Sequence, residues 1–90
     1  MHATLYTKDN CQFCTRAKAL LDSKAIPYTE LILDINGRDD RALTESQSWA
    51  TRDQLMAANP NAKTVPQIWL DGEHIGGYTE LAARFQSQAA

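Results

Sequence analysis

Cys11 and Cys14 stand three residues apart, the only cysteines in the chain, where a strand-like run hands over to a helical one. Ala3-Thr4-Leu5-Tyr6-Thr7 has the length and alternation of a strand, and Lys8-Asp9-Asn10 is a polar turn. Thr15-Arg16-Ala17-Lys18-Ala19-Leu20-Leu21 is made of strong helix formers. The C-x-x-C pair therefore opens a helix, which is expected to start at Cys11 or Gln12 with Asn10 or Asp9 as its cap. A thiol there meets unpaired backbone N–H groups and the positive end of the helix dipole, which favour the thiolate. The thiolate is the nucleophile of disulfide exchange, and a second cysteine within reach resolves the mixed disulfide. A bond between the two would bridge almost no chain, so a structural staple is a poor reading. A closed zinc site needs four ligands, and the remaining candidates, His2 and His74, lie far away without motif spacing.

The rest of the chain predicts a single α/β domain, residues 1–90. Phe13, Ala17, Leu20 and Leu21 fall on one helical face, and Pro27 ends that helix. Tyr28-Thr29-Glu30-Leu31-Ile32-Leu33 reads as a second strand, parallel to the first because a helix connects them. Gly37 closes the Asp34-Ile35-Asn36 segment. Arg38 to Ala58 carries many helix formers with uneven apolar spacing and is read as two short helices, one on either side of Ser48, with Thr51-Arg52-Asp53-Gln54 as a helix start. Arg38-Asp39-Asp40-Arg41 is read as a solvated helix face. After the Asn59-Pro60-Asn61 turn come a strand at Val65–Leu70, an Asp71-Gly72 hairpin, an antiparallel strand at Glu73–Ile75 and a closing helix from Tyr78 to Gln88. The expected order is β-α-β-α-β-β-α, a four-stranded mixed sheet flanked by helices.

Composition excludes several classes. The net charge of −2 is spread over interleaved signs, against a nucleic-acid-binding basic face. No apolar run nears the roughly 18 residues of a membrane span. Met1-His2-Ala3-Thr4 lacks a basic n-region and an apolar h-region, so no secretory signal and a cytoplasmic location are expected.

With the order established, three motifs resemble those of the dithiol glutaredoxins, bacterial or phage type, of the thioredoxin-like fold: Cys11-Gln12-Phe13-Cys14, Thr64-Val65-Pro66 and Gly76-Gly77-Tyr78-Thr79-Glu80. The resemblance covers nearly the whole chain and is weakest from Asn36 to Ala62, where the chain is longer than many bacterial members and resembles the expanded helical region of some phage-type ones. Two departures stand inside the redox motif. Gln12 replaces the usual proline and returns a backbone N–H near the sulfurs, and Phe13 replaces tyrosine and loses its hydroxyl. Glu80 replaces the more usual aspartate.

The resemblance implies a glutathione-dependent thiol–disulfide oxidoreductase that reduces protein disulfides and glutathione mixed disulfides. Cys11 is then the exposed nucleophile and Cys14 the buried resolving thiol. It implies a glutathione site formed by Lys8, Phe13, Thr64, Val65, Pro66, Gly77, Tyr78, Thr79 and Glu80. Pro66 takes the place of the family's cis-proline, turning the Val65 backbone toward a bound peptide-like thiol. Gly76-Gly77 and the following helix start hold a carboxylate, with Glu80 near the α-amino group. Phe13 and Tyr78 wall the groove. Trp69 and His74 are read as structural, and Trp49 as core or partner-facing. Glutathione is a co-substrate, with no permanently bound cofactor and no metal. The expected partners are disulfide-bearing proteins, ribonucleotide reductase among them, with no nucleic acid and no membrane, and the chain is expected to act as a monomer. Competing readings are an electron donor reduced by thioredoxin reductase, an iron–sulfur carrier and a redox-inert binding module.

Overall fold

A computed structural model describes residues 1–35 and 37–88; Asn36, named above in the Asp34-Ile35-Asn36 segment and as the start of the stretch to Ala62, lies outside the described residues. β1 (Ala3–Thr7) alternates buried and half-buried positions, with Ala3, Leu5 and Thr7 on one face. It pairs with parallel β2 (Tyr28–Leu33) on one side and with antiparallel β4 (Gln67–Leu70) on the other. β3 (Gln47–Ala50) adds to the far edge of β2 in parallel, and β5 (Glu73–Gly76) adds to β4 in antiparallel. The sheet thus has five strands in the order β3-β2-β1-β4-β5.

Helices cover both faces. Ala17 and Leu21 of α1 (Gln12–Ser23) and Leu81 and Phe85 of α3 (Tyr78–Gln88) pack on Ala3, Leu5, Ile68 and Leu70. Fully burying a leucine such as Leu21 contributes about 1.5–3 kcal/mol. On the opposite face Leu55 of α2 (Arg52–Ala58) packs with Leu33, Ala50, Tyr6, Leu31 and Trp69. Trp69 meets the Tyr6 ring edge-on at 5.6 Å and the His74 ring at 4.8 Å, and His74 Nε2 lies 2.9 Å from Gln67 Oε1.

The structure corrects the reading of Arg38–Ala58. The helix expected before Ser48 is absent; Arg38–Ser46 is an irregular loop, and Gln47–Ala50 forms the fifth strand, β3. The open edge of β2 offers unpaired backbone groups, and a short segment with uneven apolar spacing has no amphipathic face to sustain a helix against that offer. Arg38 to Arg41 accordingly form loop contacts instead of a helix face. Arg38 pairs with Asp34, and Arg41 pairs with Asp9 and Asp39. Trp49 lies half-buried on β3 beneath the Arg41 guanidinium, 5.1 Å from its ring centre. The second helix does form. Thr51 caps it with a reciprocal capping box, its hydroxyl accepting from the Gln54 N–H while the Gln54 side chain accepts from the Thr51 N–H. Two boundaries also move. α1 stops at Ser23, with Ala25 at φ +56, before Pro27 is reached, and β4 starts two residues after Val65.

Candidate active site

The turn after β1 delivers Cys11 to the start of α1. Asn10 adopts φ +56, a left-handed conformation that asparagine tolerates well, and the chain reverses there. The cap of α1 is Cys11 itself, rather than Asn10 or Asp9. Its backbone is extended, its sulfur accepts from the Cys14 N–H at 3.2 Å, and its carbonyl accepts from the Thr15 N–H at 3.2 Å. A sulfur in the N-cap position faces backbone donors that otherwise have no partner, so negative charge there is stabilised. Cys11 and Cys14 are joined in a disulfide with Cα atoms 5.2 Å apart, so the structure shows the oxidised form. Cys14 is buried at 2% exposure, whereas Cys11 is half-buried and reachable.

Two other segments flank the redox motif, one touching Cys11 and one touching Pro66 and Phe13. The Val65–Pro66 peptide bond is cis, and the Val65 carbonyl oxygen lies 3.8 Å from Cys11 Sγ. Gly77 packs against this segment: a methyl group placed on it would sit in van der Waals contact with the Pro66 carbonyl oxygen at 3.4 Å. The half-exposed Phe13 ring stands 6.1 Å from Tyr78, with their planes 30° apart, and Arg16 sits over Phe13 at 5.4 Å. Lys8 and Thr64 are exposed and line a shallow groove with Val65, and Thr79 is exposed on the first turn of α3. At that turn the Glu80 carboxylate accepts from the Gly77 N–H at 2.8 Å and occupies one of the free donors.

Sequence reasoning missed two polar clusters around the same turn. Glu30, 4% exposed, projects from β2 into a cavity of about 580 Å³ that Cys11 and Cys14 also line. Its carboxylate accepts from Thr7 Oγ1 at 2.7 Å, Lys18 Nζ at 2.9 Å and Gln47 Nε2 at 3.0 Å. Burial pushes its pKa up, but the donors from Gln47, Thr7 and Lys18 outweigh that and hold it below the ordinary carboxylate value. The signal was present as a charged residue at an inward-facing position, two residues from Ile32 on the same strand face. The second cluster is Arg41 with Asp9 and Asp39. Hydrogen bonds from Arg41 lower the pKa of Asp9, and pull that of Asp39 down to about 2. No local sequence signal links Arg41 to Asp9.

An oxidisable pair at a helix N-cap, one cysteine buried and one accessible beside the Val65 carbonyl of a cis-proline bend, defines a thiol–disulfide oxidoreductase of thioredoxin-like fold. Residues 3–75 match the glutaredoxin family model. Glutaredoxin 3 of Escherichia coli (strain K12) is 39% identical over 79 residues, covering 88% of this chain and 80% of that protein. Glutaredoxin 1 of Rickettsia bellii is 38% identical over 82 residues, covering 90% and 74%. Among solved structures, that of glutaredoxin 1 from Francisella tularensis, complexed with cacodylate, superposes with a TM-score of 0.66 at 29% identity, over 98% of this chain and 95% of that one. The chain belongs to the glutaredoxin family.

Among the described residues no helix is long and apolar enough to cross a membrane, and no group of three or more His, Cys, Asp or Glu side chains is placed to hold a metal.

Proposed function

We propose that this glutaredoxin reduces glutathione mixed disulfides and protein disulfides with glutathione as the electron donor, acting as a single-domain monomer in the cytoplasm. The observation that carries the reading is the Val65 carbonyl beside Cys11 Sγ, next to the cis-Pro66 against which Gly77 packs, with Tyr78 facing Phe13 of the redox motif. The Val65 main chain offers a peptide-like thiol the hydrogen bonds of an added strand. The Tyr78, Thr79 and Glu80 N–H groups at the start of α3 have no intrahelical partner and suit a carboxylate. Lys8, beside Thr64 in the groove, suits a second carboxylate, and Glu80 suits an ammonium group. Phe13 and Tyr78 supply the apolar walls, and Pro66 sets the floor.

In the one-cysteine route the Cys11 thiolate attacks the glutathionyl sulfur of a mixed disulfide. The target leaves as a thiolate and takes up a proton, and Cys11 now carries glutathione. A second glutathione thiolate attacks that sulfur, forming oxidised glutathione and restoring the Cys11 thiolate. In the two-cysteine route Cys11 attacks a protein disulfide, and Cys14 then displaces the target thiol and closes the disulfide seen here. Two glutathione molecules reopen it. Ribonucleotide reductase stands among the protein substrates this reading implies. Cys11 at the helix cap makes a good attacking and leaving group in both routes.

The test is turnover of a small glutathione mixed disulfide, coupled to glutathione reductase, for wild type, Cys14→Ser and Cys11→Ser. Activity in the first two and none in the third is expected. An inactive wild type would overturn glutathione dependence and leave reduction by a thioredoxin reductase as the better reading.

A further inference from the structure

We propose that Arg41 is a positioning residue for the redox turn: its guanidinium clasps the Asp9 carboxylate, masking the one anionic side chain on the segment that delivers Cys11. The inference rests on Cys11 being the attacking thiol, but not on glutathione being the electron donor.

The geometry is specific. Arg41 comes from the loop between β2 and β3, 32 residues away in the chain from Asp9. Its two terminal nitrogens each donate to a different Asp9 oxygen, Nη1 to Oδ1 at 2.8 Å and Nη2 to Oδ2 at 2.7 Å, the two-pronged arrangement that arginine makes and lysine does not. The guanidinium is itself held in place. Nε donates to Asp39 at 2.8 Å, Nη2 to the same carboxylate at 2.6 Å, and the Trp49 ring lies beneath. Arg41 and Asp9 line the same cavity as Cys11 and Cys14.

The electrostatic consequence follows from where Asp9 stands. It precedes the N-cap sulfur by two residues, with only Asn10 between them, and its charge opposes the thiolate that the helix terminus favours. The other charged or titratable groups around the turn are Asp39, which shares the Arg41 guanidinium with Asp9, Lys8 beside Asp9, Arg16 and Lys18 on α1, Glu30 on β2, and Tyr78 and Glu80 on α3. Lys18 and Glu30 neutralise one another at 2.9 Å. Glu80 is engaged with the Gly77 N–H. Among these, Asp9 is the anion whose masking depends on a side chain from a distant loop. The lowered pKa of Asp9 has its hydrogen bond from Arg41 as the first cause, in keeping with a tight pair.

The test reads the Cys11 titration directly. Cys14→Ser leaves Cys11 as the only thiol, and thiolate absorbance in the ultraviolet gives its pKa without any substrate. Arg41→Ala in that background is expected to raise the Cys11 pKa by about half a unit, a small like-charge effect because water screens the exposed site. Below the pKa this lowers the thiolate fraction about threefold. Rates would hide most of it, since nucleophilicity rises with basicity with a coefficient of about 0.4–0.5, leaving less than a twofold fall. Asp9→Asn should abolish the effect: in a Cys14→Ser/Asp9→Asn background, adding Arg41→Ala should leave the titration unchanged. Arg41→Lys should give an intermediate rise, keeping the charge and losing the fork. An unchanged Cys11 pKa in Arg41→Ala overturns the proposal. So does a rise of the same size with Asp9→Asn present, which would show Arg41 acting on the sulfur directly or through the fold.

Discussion

Replacing Glu30 with glutamine removes one charge from a buried carboxylate that ties three strands and a helix together. Its partners are Thr7 on β1, Lys18 on α1 and Gln47 on β3. Thr7 and Lys18 share one Glu30 oxygen and Gln47 donates to the other, so glutamine can accept on one side only. It either turns its amide donor toward Gln47 or turns it toward Thr7 and the Lys18 ammonium, and in both cases Lys18 loses its counter-charge. Breaking a fully buried pair by removing one partner costs about 3–5 kcal/mol, and losing a single hydrogen bond to a charged group about 1.5–3 kcal/mol. The Lys18 side chain is 28% exposed, so water recovers part of its solvation and the lower range governs. Glu30→Gln should therefore destabilise the fold by about 2–3 kcal/mol at pH 7, measured by urea unfolding. For a domain of this size that corresponds to a fall of roughly 10–20 °C in melting temperature.

The same substitution makes a pH prediction. Glu30 is held below its ordinary value of 4.5, so the folded state favours the ionised carboxylate. That stabilisation is complete above the unfolded-state value and is lost as the pH falls through the lower, folded-state value. Wild type and Glu30→Gln should therefore differ fully at pH 7 and converge progressively below about pH 4. A difference under about 1 kcal/mol at pH 7, or one that does not shrink in acid, would refute the claim that an ionised Glu30 anchors these elements.

Two further substitutions test the local reading. Gly76 has φ +126, and a methyl group there would approach Glu80 Oε1 to 2.6 Å, so Gly76→Ala should strain the backbone and push Glu80 off the Gly77 N–H. About 2–4 kcal/mol is expected, roughly 1–3 from the conformation and about 1 from the cap, read by urea unfolding; a loss under about 0.5 kcal/mol would contradict the geometry. Thr51→Ala removes the hydroxyl half of the α2 capping box and should cost about 1 kcal/mol, with faster amide exchange confined to Arg52–Ala58; unchanged exchange there would show that the box adds nothing.

Sequence reasoning succeeded where the chemistry is local. β1 and β2 are legible as strands in their own residues, Thr51-Arg52-Asp53-Gln54 marks a helix start within four residues, and Asp71-Gly72 takes the positive φ values a tight hairpin demands. The Cys11–Cys14 disulfide needs only three residues and a helix start. It failed where one residue's state is decided by another far along the chain. The helix formers of Arg38–Ser46 satisfied a local propensity, yet the vacant edge of β2 and the Arg41–Asp9 pair, 32 residues apart, decided the outcome. The α1 cap was misassigned for a related reason. Asn10 and Asp9 are better capping residues in general, but Asn10 is used to reverse the chain, which leaves the sulfur of Cys11 to accept the Cys14 N–H.

The misread segment is also what allows a charge to sit behind the redox pair. β3 pairs with β2 in a register that sets Gln47 opposite Glu30, and the Gln47 amide then donates to the one Glu30 oxygen that Thr7 and Lys18 leave vacant. Had residues 47–50 formed a helix, that oxygen would be buried without a donor, a penalty of about 1–3 kcal/mol or more for a charged group. Glu30 would then be driven toward its protonated form and Lys18, one helical turn beyond Cys14, would lose its counter-ion. The edge strand therefore holds Glu30 ionised and Lys18 paired, so neither presents an uncompensated charge to the buried thiol. The loop that leads into this strand brings Arg41 to Asp9. The stretch least legible in the sequence thus bounds the electrostatic surroundings of both cysteines, one through Glu30 and the other through Asp9.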